Sequence, residues 1–114
     1  MQHILAIVGS MRKNGHTHTL INHVLDAMRE LDPDLVTDIV HVADKTLHPC
    51  RVTCSRYCTT HPYQCAVADD VPAILQQMIA ADAVILGAPL YFRGPSAKFQ
   101  ALAERLVSLS FFHE

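Results

Sequence analysis

The sequence predicts an α/β domain: a doubly wound parallel sheet in a three-layer α/β/α arrangement. Three observations carry that expectation. Two short runs, Ile4-Leu5-Ala6-Ile7-Val8 and Ala83-Val84-Ile85-Leu86, are continuously apolar and end at Gly9 and Gly87. Unbroken hydrophobicity, rather than alternation, is what a strand buried on both faces requires. Between and after the strands lie segments with helical periodicity, so the chain reads β-α-β-α-β-α, the pattern of crossover connections in a parallel sheet.

Each element has a local reason. After the first strand a polar stretch, Ser10 to His16, leads into a helix. There Leu20, Ile21, Val24, Leu25, Met28 and Leu31 recur at spacings of one, three and four, which places them on one face. Asp32-Pro33 ends this helix, because proline disfavours the helical conformation of the residue before it. Val36 to Val42 is rich in β-branched residues and reads as a second strand nearer an edge, since Asp38 and His41 interrupt it. Asp69-Asp70 followed by Pro72 marks the start of a second helix, with carboxylates at the positive end of the dipole. Val71, Ile74, Leu75, Met78 and Ile79 supply its inward face. Ala83 to Gly87 is the third strand. Pro89 to Pro95 is a loop, and Ser96 is an N-cap for a last helix with Phe99, Leu102, Leu106 and Leu109 inward.

The chain of 114 residues supports a single domain, 1–114. Half of it is apolar, enough for a core, and the formal charge of −2 leaves no basic footprint for nucleic acid. No run approaches the roughly 18 apolar residues of a membrane span. The four cysteines all fall between positions 50 and 65, within an irregular stretch from 43 to 68. A disulfide scaffold spreads its cysteines more widely, so the expectation is a soluble, cytoplasmic protein with one cysteine-rich loop. A doubly wound sheet has about five strands. Three βα units exhaust this sequence, so the usual fourth and fifth strands are absent, and the chain reads either as a fragment of a longer domain or as a subunit whose third strand is covered by another chain. Val84, Ile85 and Leu86 at that edge predict a homo-oligomer.

With strand order 2-1-3, the topological switch point falls between the first and third strands, where ligands of open α/β sheets bind. Two loops meet there, Gly9–Thr17 and Pro89–Ser96. The first carries Gly9, Ser10, Arg12, Asn14, Gly15 and Thr17 and opens onto a helix N-terminus, whose free N–H groups and dipole favour an anion. It is neither a Walker A loop nor a G-x-G-x-x-G turn, and a phosphate monoester suits it. His16 and His18, near the same helix start, read as solvated histidines.

The stretch Gly9-Ser10-Met11-Arg12-Lys13-Asn14-Gly15-His16-Thr17, followed by Leu20, resembles the FMN-binding signature of NADPH-dependent FMN reductases and iron–sulfur flavoproteins. Ala81 to Phe92, then Ser96-Ala97 and Glu104-Arg105, resembles the second block of that family, and the cysteine loop leading into Asp69-Asp70 the third. His16 where the family usually has Asn, Gln100 where Lys is common, and Glu104 for Asp depart from its pattern, and the family's last two strands are missing. The resemblance implies a flavodoxin-like fold with FMN at the switch point. Ser10, Arg12, Asn14, Gly15, His16 and Thr17 would hold the phosphate side, while Pro89, Leu90, Tyr91, Phe92 and Gly94 would line the isoalloxazine ring. It also implies NAD(P)H as electron donor and a small-molecule acceptor such as a flavin or quinone, with no side-chain acid or nucleophile required. An electron-carrying iron–sulfur flavoprotein, or an incomplete domain without activity, are the alternatives.

Cys50, Cys54, Cys58 and Cys65 run C-x3-C-x3-C-x6-C, each of the first two gaps one residue longer than in the iron–sulfur flavoproteins. Four thiolates suit a [4Fe–4S] cluster or tetrahedral zinc, the latter with His48 or His61; free or disulfide-linked thiols are the competing reading. On a regular helix Cys50 and Cys58 would stand about 12 Å apart, so common ligation requires the segment to loop back.

Overall fold

The computed structural model describes residues 2–51, 57–61 and 64–106. Six main elements follow in the expected order: β1 (His3–Val8), α1 (His16–Leu31), β2 (Val36–His41), α2 (Val71–Ala80), β3 (Ala83–Gly87) and α3 (Ala97–Arg105), with single 3-10 turns at Val42–Asp44 and Tyr57–Thr59. The sheet has the order β2-β1-β3 with both pairings parallel. Among the described residues it has three strands.

β1 is central, and its side chains are divided between two cores. Leu5 and Ile7 pack with Val40, Val42, Ile74, Leu75 and Leu102 beneath α2 and α3. Ile4, Ala6 and Val8 pack with Ile21 and Leu25 beneath α1. Burial on both faces explains why this strand carries no alternation. Each fully buried aliphatic side chain contributes about 1.5–3 kcal/mol, which makes β1 the most heavily stabilised element of the sheet.

The helix caps follow from sequence in detail. Asp32 closes α1 through its N–H to the Met28 carbonyl at 3.0 Å. The Ser96 hydroxyl accepts from Phe99 N at 3.2 Å, as an N-cap should. Pro72 stands in the first turn of α2, and Asp69, one residue before the cap, accepts from Val71 N at 3.0 Å.

Two expectations need correction. The six apolar positions of α1 do not share one buried face: Ile21 and Leu25 are buried, whereas Leu20, Val24 and Leu31 are 65%, 40% and 89% exposed. A three-stranded sheet covers only the sector of the helix directly above it. Ile79 of α2 is likewise 43% exposed rather than inward. Leu109 lies outside the described residues.

The irregular stretch between β2 and α2 is tied down by one buried ion pair. Arg105, at the end of α3, is 1% exposed, and the Asp69 side chain it meets is fully buried. The same guanidinium donates to the carbonyls of His48 at 3.0 Å and Val67 at 3.4 Å. Asp69 accepts in addition from His48 N at 2.8 Å. Burial disfavours the charged carboxylate, but the hydrogen bonds from Arg105, His48 and Val71 outweigh it and hold Asp69 below its ordinary value. Arg105 is shifted up correspondingly, against its own burial, by Asp69 and by a hydrogen bond with the Cys65 thiol.

Removing one member strands the other as a buried charge. Asp69→Asn should therefore cost about 3–5 kcal/mol at neutral pH. Because the folded carboxyl lies below the unfolded value of 3.8, this stability is present above that value and lost as pH falls through the folded one. Denaturant titrations of both proteins should converge on acidification. A constant difference down to strongly acidic pH would mean that packing, not charge, is what the substitution disturbs.

Candidate functional site

The carboxyl ends of β1 and β3 meet at Gly9. Its N–H donates to the Gly87 carbonyl at 2.6 Å, and its own carbonyl accepts from the Ser96 hydroxyl at 2.6 Å. A Cβ at this position would stand 2.5 Å from Phe99 Cδ2 and 2.9 Å from Ala88 Cβ, so only glycine fits. Both predicted loops spring from this junction, and the structure brings them together. The Ser10 hydroxyl accepts from Arg12 N at 3.0 Å and stands 3.4 Å from the Tyr91 hydroxyl.

The first loop closes a turn at Arg12–Gly15, where Gly15 N donates to the Arg12 carbonyl at 3.4 Å. A side chain at Gly15 would press on Arg12 Cβ at 3.3 Å. Gly15 is the N-cap of α1 and provides no side-chain cap, and the first turn holds no acidic residue. The first-turn amides are therefore left to a ligand or to water, under the positive end of the dipole. Ser10 is buried, Gly15 and Thr17 are half-buried, and Arg12, Asn14 and His16 are exposed around this terminus. Lys13 is neutralised locally by Asp44 at 2.7 Å, and that hydrogen bond holds the Asp44 carboxyl below its ordinary value. Arg12 has no ion pair among the described residues and is therefore available to an anion here.

The second loop is a tight hairpin. Tyr91 N donates to the Gly94 carbonyl at 2.6 Å, and Gly94 N donates back to Tyr91 at 3.0 Å. Phe92 and Arg93, between them, have φ of 45° and 70°. Positive φ at both central residues is the pattern of a type I′ turn, which ordinarily selects Asn and Gly. Nothing in Tyr91-Phe92-Arg93-Gly94 signals it in advance. Left-handed backbone at two side-chain-bearing residues costs about 1–3 kcal/mol each. Phe92 is fully exposed and Leu90 is 77% exposed, so the turn does not recover that energy by packing. Pro89 and Gly94 are half-buried, and Tyr91 is borderline exposed.

A cavity of about 340 Å³ between α3 and Leu47–Pro49 lies beside Cys50 rather than beside Gly9. Cys50 N donates to Glu104 Oε1 at 3.3 Å, and Cys65 meets Arg105, so consecutive residues of α3 hold the two ends of the cysteine segment. Cys54 lies outside the described residues. Among the described ones no three His, Cys, Asp or Glu side chains are gathered to hold a metal.

His18, expected to be solvated, is half-buried against His41 at the end of β2, with ring centroids 5.0 Å apart. Nδ1 of each ring is buried without a hydrogen-bond partner among the described residues. Burial first, then the neighbouring His18 and Lys13, lower the His41 pKa, and Asp44 only partly offsets them. A contact spanning α1 and β2 leaves no local sequence signal. His16 is exposed, as expected.

The family model for NADPH-dependent FMN reductase matches residues 2–113. An iron–sulfur flavoprotein of Methanocaldococcus jannaschii is 38% identical over 90% of this chain and 50% of its own length. An iron–sulfur flavoprotein of Methanosarcina thermophila is 32% identical over 93% of this chain and 53% of its own. A second Methanocaldococcus jannaschii iron–sulfur flavoprotein is 28% identical over 90% and 49%, respectively. The chain spans about half the length of the curated relatives it matches. Among the described residues no helix is long and apolar enough to cross a membrane.

The lowered pKa of His41 makes a pH test of the histidine pair. Its stabilising effect is present above the unfolded value of 6.5 and lost as pH falls through the folded value. His41→Phe keeps an aromatic ring and removes the titration. Melting curves between about pH 7.5 and 5 should show the parent losing stability faster than the variant. Parallel curves would remove His41 as the cause.

Proposed function

The chain belongs to the NADPH-dependent FMN reductase family, and on that premise we propose that it binds FMN where β1 and β3 end and passes electrons from NAD(P)H to a small acceptor such as a flavin or quinone. The observation that carries this reading is the convergence at Gly9. One wall of the junction offers first-turn amides with no side-chain cap, together with Ser10, Thr17 and Arg12, which has no ion pair among the described residues, a donor set suited to a phosphate monoester. The other wall is the strained hairpin of Tyr91 to Gly94, with aromatic and backbone groups beside the same Ser10. The residues present fit the cofactor. Ser10, Arg12, Asn14, Gly15, His16 and Thr17 would hold its phosphate side, and Pro89, Leu90, Tyr91, Phe92 and Gly94 would face its ring.

The flavin, when bound, supplies hydride acceptance and electron transfer. The residues of the first loop would hold its phosphate, and the Tyr91–Gly94 hairpin would stand beside its ring. No side-chain acid or base is needed. A second reading, an electron carrier with a [4Fe–4S] cluster on Cys50, Cys54, Cys58 and Cys65, is supported by the names of the relatives and by the four cysteines. The flavin reading stands first because the family model and the donors gathered at the Gly9 junction both support it. Stoichiometric iron and acid-labile sulfide in the protein as purified would reverse that order.

Two experiments test the flavin reading. Protein loaded with FMN should oxidise NAD(P)H with a quinone, free flavin or ferricyanide as acceptor, and no turnover with any of them would remove the enzymatic claim. Arg12→Ala should weaken FMN by about ten- to a hundredfold, the worth of one charge-assisted contact, while barely changing riboflavin, which lacks the phosphate. Thr17→Val should act in the same direction more weakly. Fluorescence quenching with both flavins decides the matter: equal losses would mean that the loop shapes the pocket without reading a phosphate.

A further inference from the structure

Two buried nitrogens are left over once the cores, the buried ion pair and the Gly9 junction are accounted for. They are Nδ1 of His18 and Nδ1 of His41, neither with a hydrogen-bond partner among the described residues. A buried polar atom without a partner is costly and calls for an occupant. Here two of them belong to neighbouring rings on different elements. His18 lies in the first turn of α1 and His41 is the last residue of β2, so the contact joins the start of the helix to the edge of the sheet.

The ring centroids stand 5.0 Å apart and the planes are tilted by 36°. That is the spacing of two imidazoles sharing one ion. A Zn–N bond of about 2.0–2.1 Å puts a ring centroid about 3.2 Å from the metal, so two rings at tetrahedral positions stand about 5.2 Å apart.

The chemistry of both rings agrees. His18 Nε2 meets the Asn22 side-chain amide at 2.8 Å. Turned over, that amide accepts a proton from Nε2, which leaves Nδ1 with a free lone pair and the ring held in place, the usual arrangement of a ligating histidine. Burial first, then the charges of His18 and Lys13, lower the His41 pKa, and the neutral imidazole is the form that binds metal. His41 caps the single 3-10 turn that ends at Asp44, whose carboxylate lies close enough to act on the His41 ring by charge. Lys13, at 2.7 Å, holds that carboxylate in the cation-free protein.

We propose that His18 and His41 form a site for one divalent cation of the zinc, nickel or copper class, held by the two Nδ1 atoms with water in the remaining positions. Imidazole nitrogen selects these ions over magnesium and calcium, which take oxygen ligands. Two protein ligands, rather than three or four, make the site weaker than a closed structural zinc centre. The ion cross-links α1 to β2 close to the Arg12–Gly15 turn, satisfies both orphaned nitrogens and draws on the negative charge of Asp44.

Zinc alone, with no flavin added, tests the site on the whole chain. In isotope-labelled parent protein the Nδ1 resonances of His18 and His41 should move together along one saturation curve as Zn2+ is added, whatever the cysteines take up. Mg2+ should leave both in place. His18→Gln and His41→Gln each remove one ligand at a half-buried position and should keep the circular dichroism spectrum. Each should weaken zinc at the remaining histidine by about a hundredfold or more, since even a lost supporting partner costs about 10- to 100-fold. His23→Gln, at an exposed position of the same helix, should change nothing. Zinc should raise the melting temperature of the parent by more than that of either ligand variant. Resonances that stay in place or move independently of each other would overturn the proposal, as would a histidine that binds zinc equally well after its neighbour is replaced. None of these readouts involves FMN, so the site and the flavin reading fail separately.

Discussion

The site end of the molecule depends on the missing side chain of Gly9. Three elements arrive there at once: β1 ends on it, β3 reaches it through Gly87, and α3 begins beside it through Ser96. Their approach is closer than any Cβ allows, since Phe99 and Ala88 already occupy the space. One methyl group at this point would push the α3 start away from the strand ends, and with it the hairpin that precedes α3. The nearness of Ser10 to Tyr91 is thus a consequence of backbone approach at a neighbouring residue, and it needs no strong contact of its own.

α3 extends that constraint to the far side of the domain. Its N-terminus is fixed at Gly9 by Ser96, and its C-terminus carries Arg105 into the buried pair with Asp69. A charge at 1% exposure is tolerable only when paired, and here the terminal nitrogens of the guanidinium meet Asp69 and the carbonyls on both sides of the cysteine segment. Lys98, between the two ends, donates to the Lys45 carbonyl at 2.7 Å. The short helix therefore braces three irregular stretches that have little regular hydrogen bonding of their own.

How far the sequence is legible follows from what each signal measures. A strand buried on both faces must be apolar at every position, and β1 is; β3 reads the same way although Ala83 and Leu86 are exposed, and the ends of both are correct to the residue or nearly so. The caps at Asp32 and Ser96 are local chemistry and are equally readable. Periodicity in α1 reports which positions are apolar, not what covers them, so Leu20, Val24 and Leu31 read as core although a three-stranded sheet cannot reach them. The packing of His18 against His41 joins residues brought together only by the fold. For Phe92 and Arg93 the residue types argue against the backbone they adopt. The family resemblance places these residues at the ring but says nothing of the turn.

That last conflict bears most directly on function. A left-handed pair of side-chain-bearing residues is retained only where the surrounding structure or a ligand repays it. The surroundings do little: Phe92 touches solvent over its whole surface, and two backbone hydrogen bonds close the turn. Across the junction the opposite holds: the α1 terminus has no side-chain cap and Arg12 no ion pair among the described residues, while Lys13 is neutralised by Asp44. One wall is strained, the other uncapped and positive. On the proposed function, a planar aromatic group carrying a phosphate would meet both walls, so the two departures from local stability are what that reading connects.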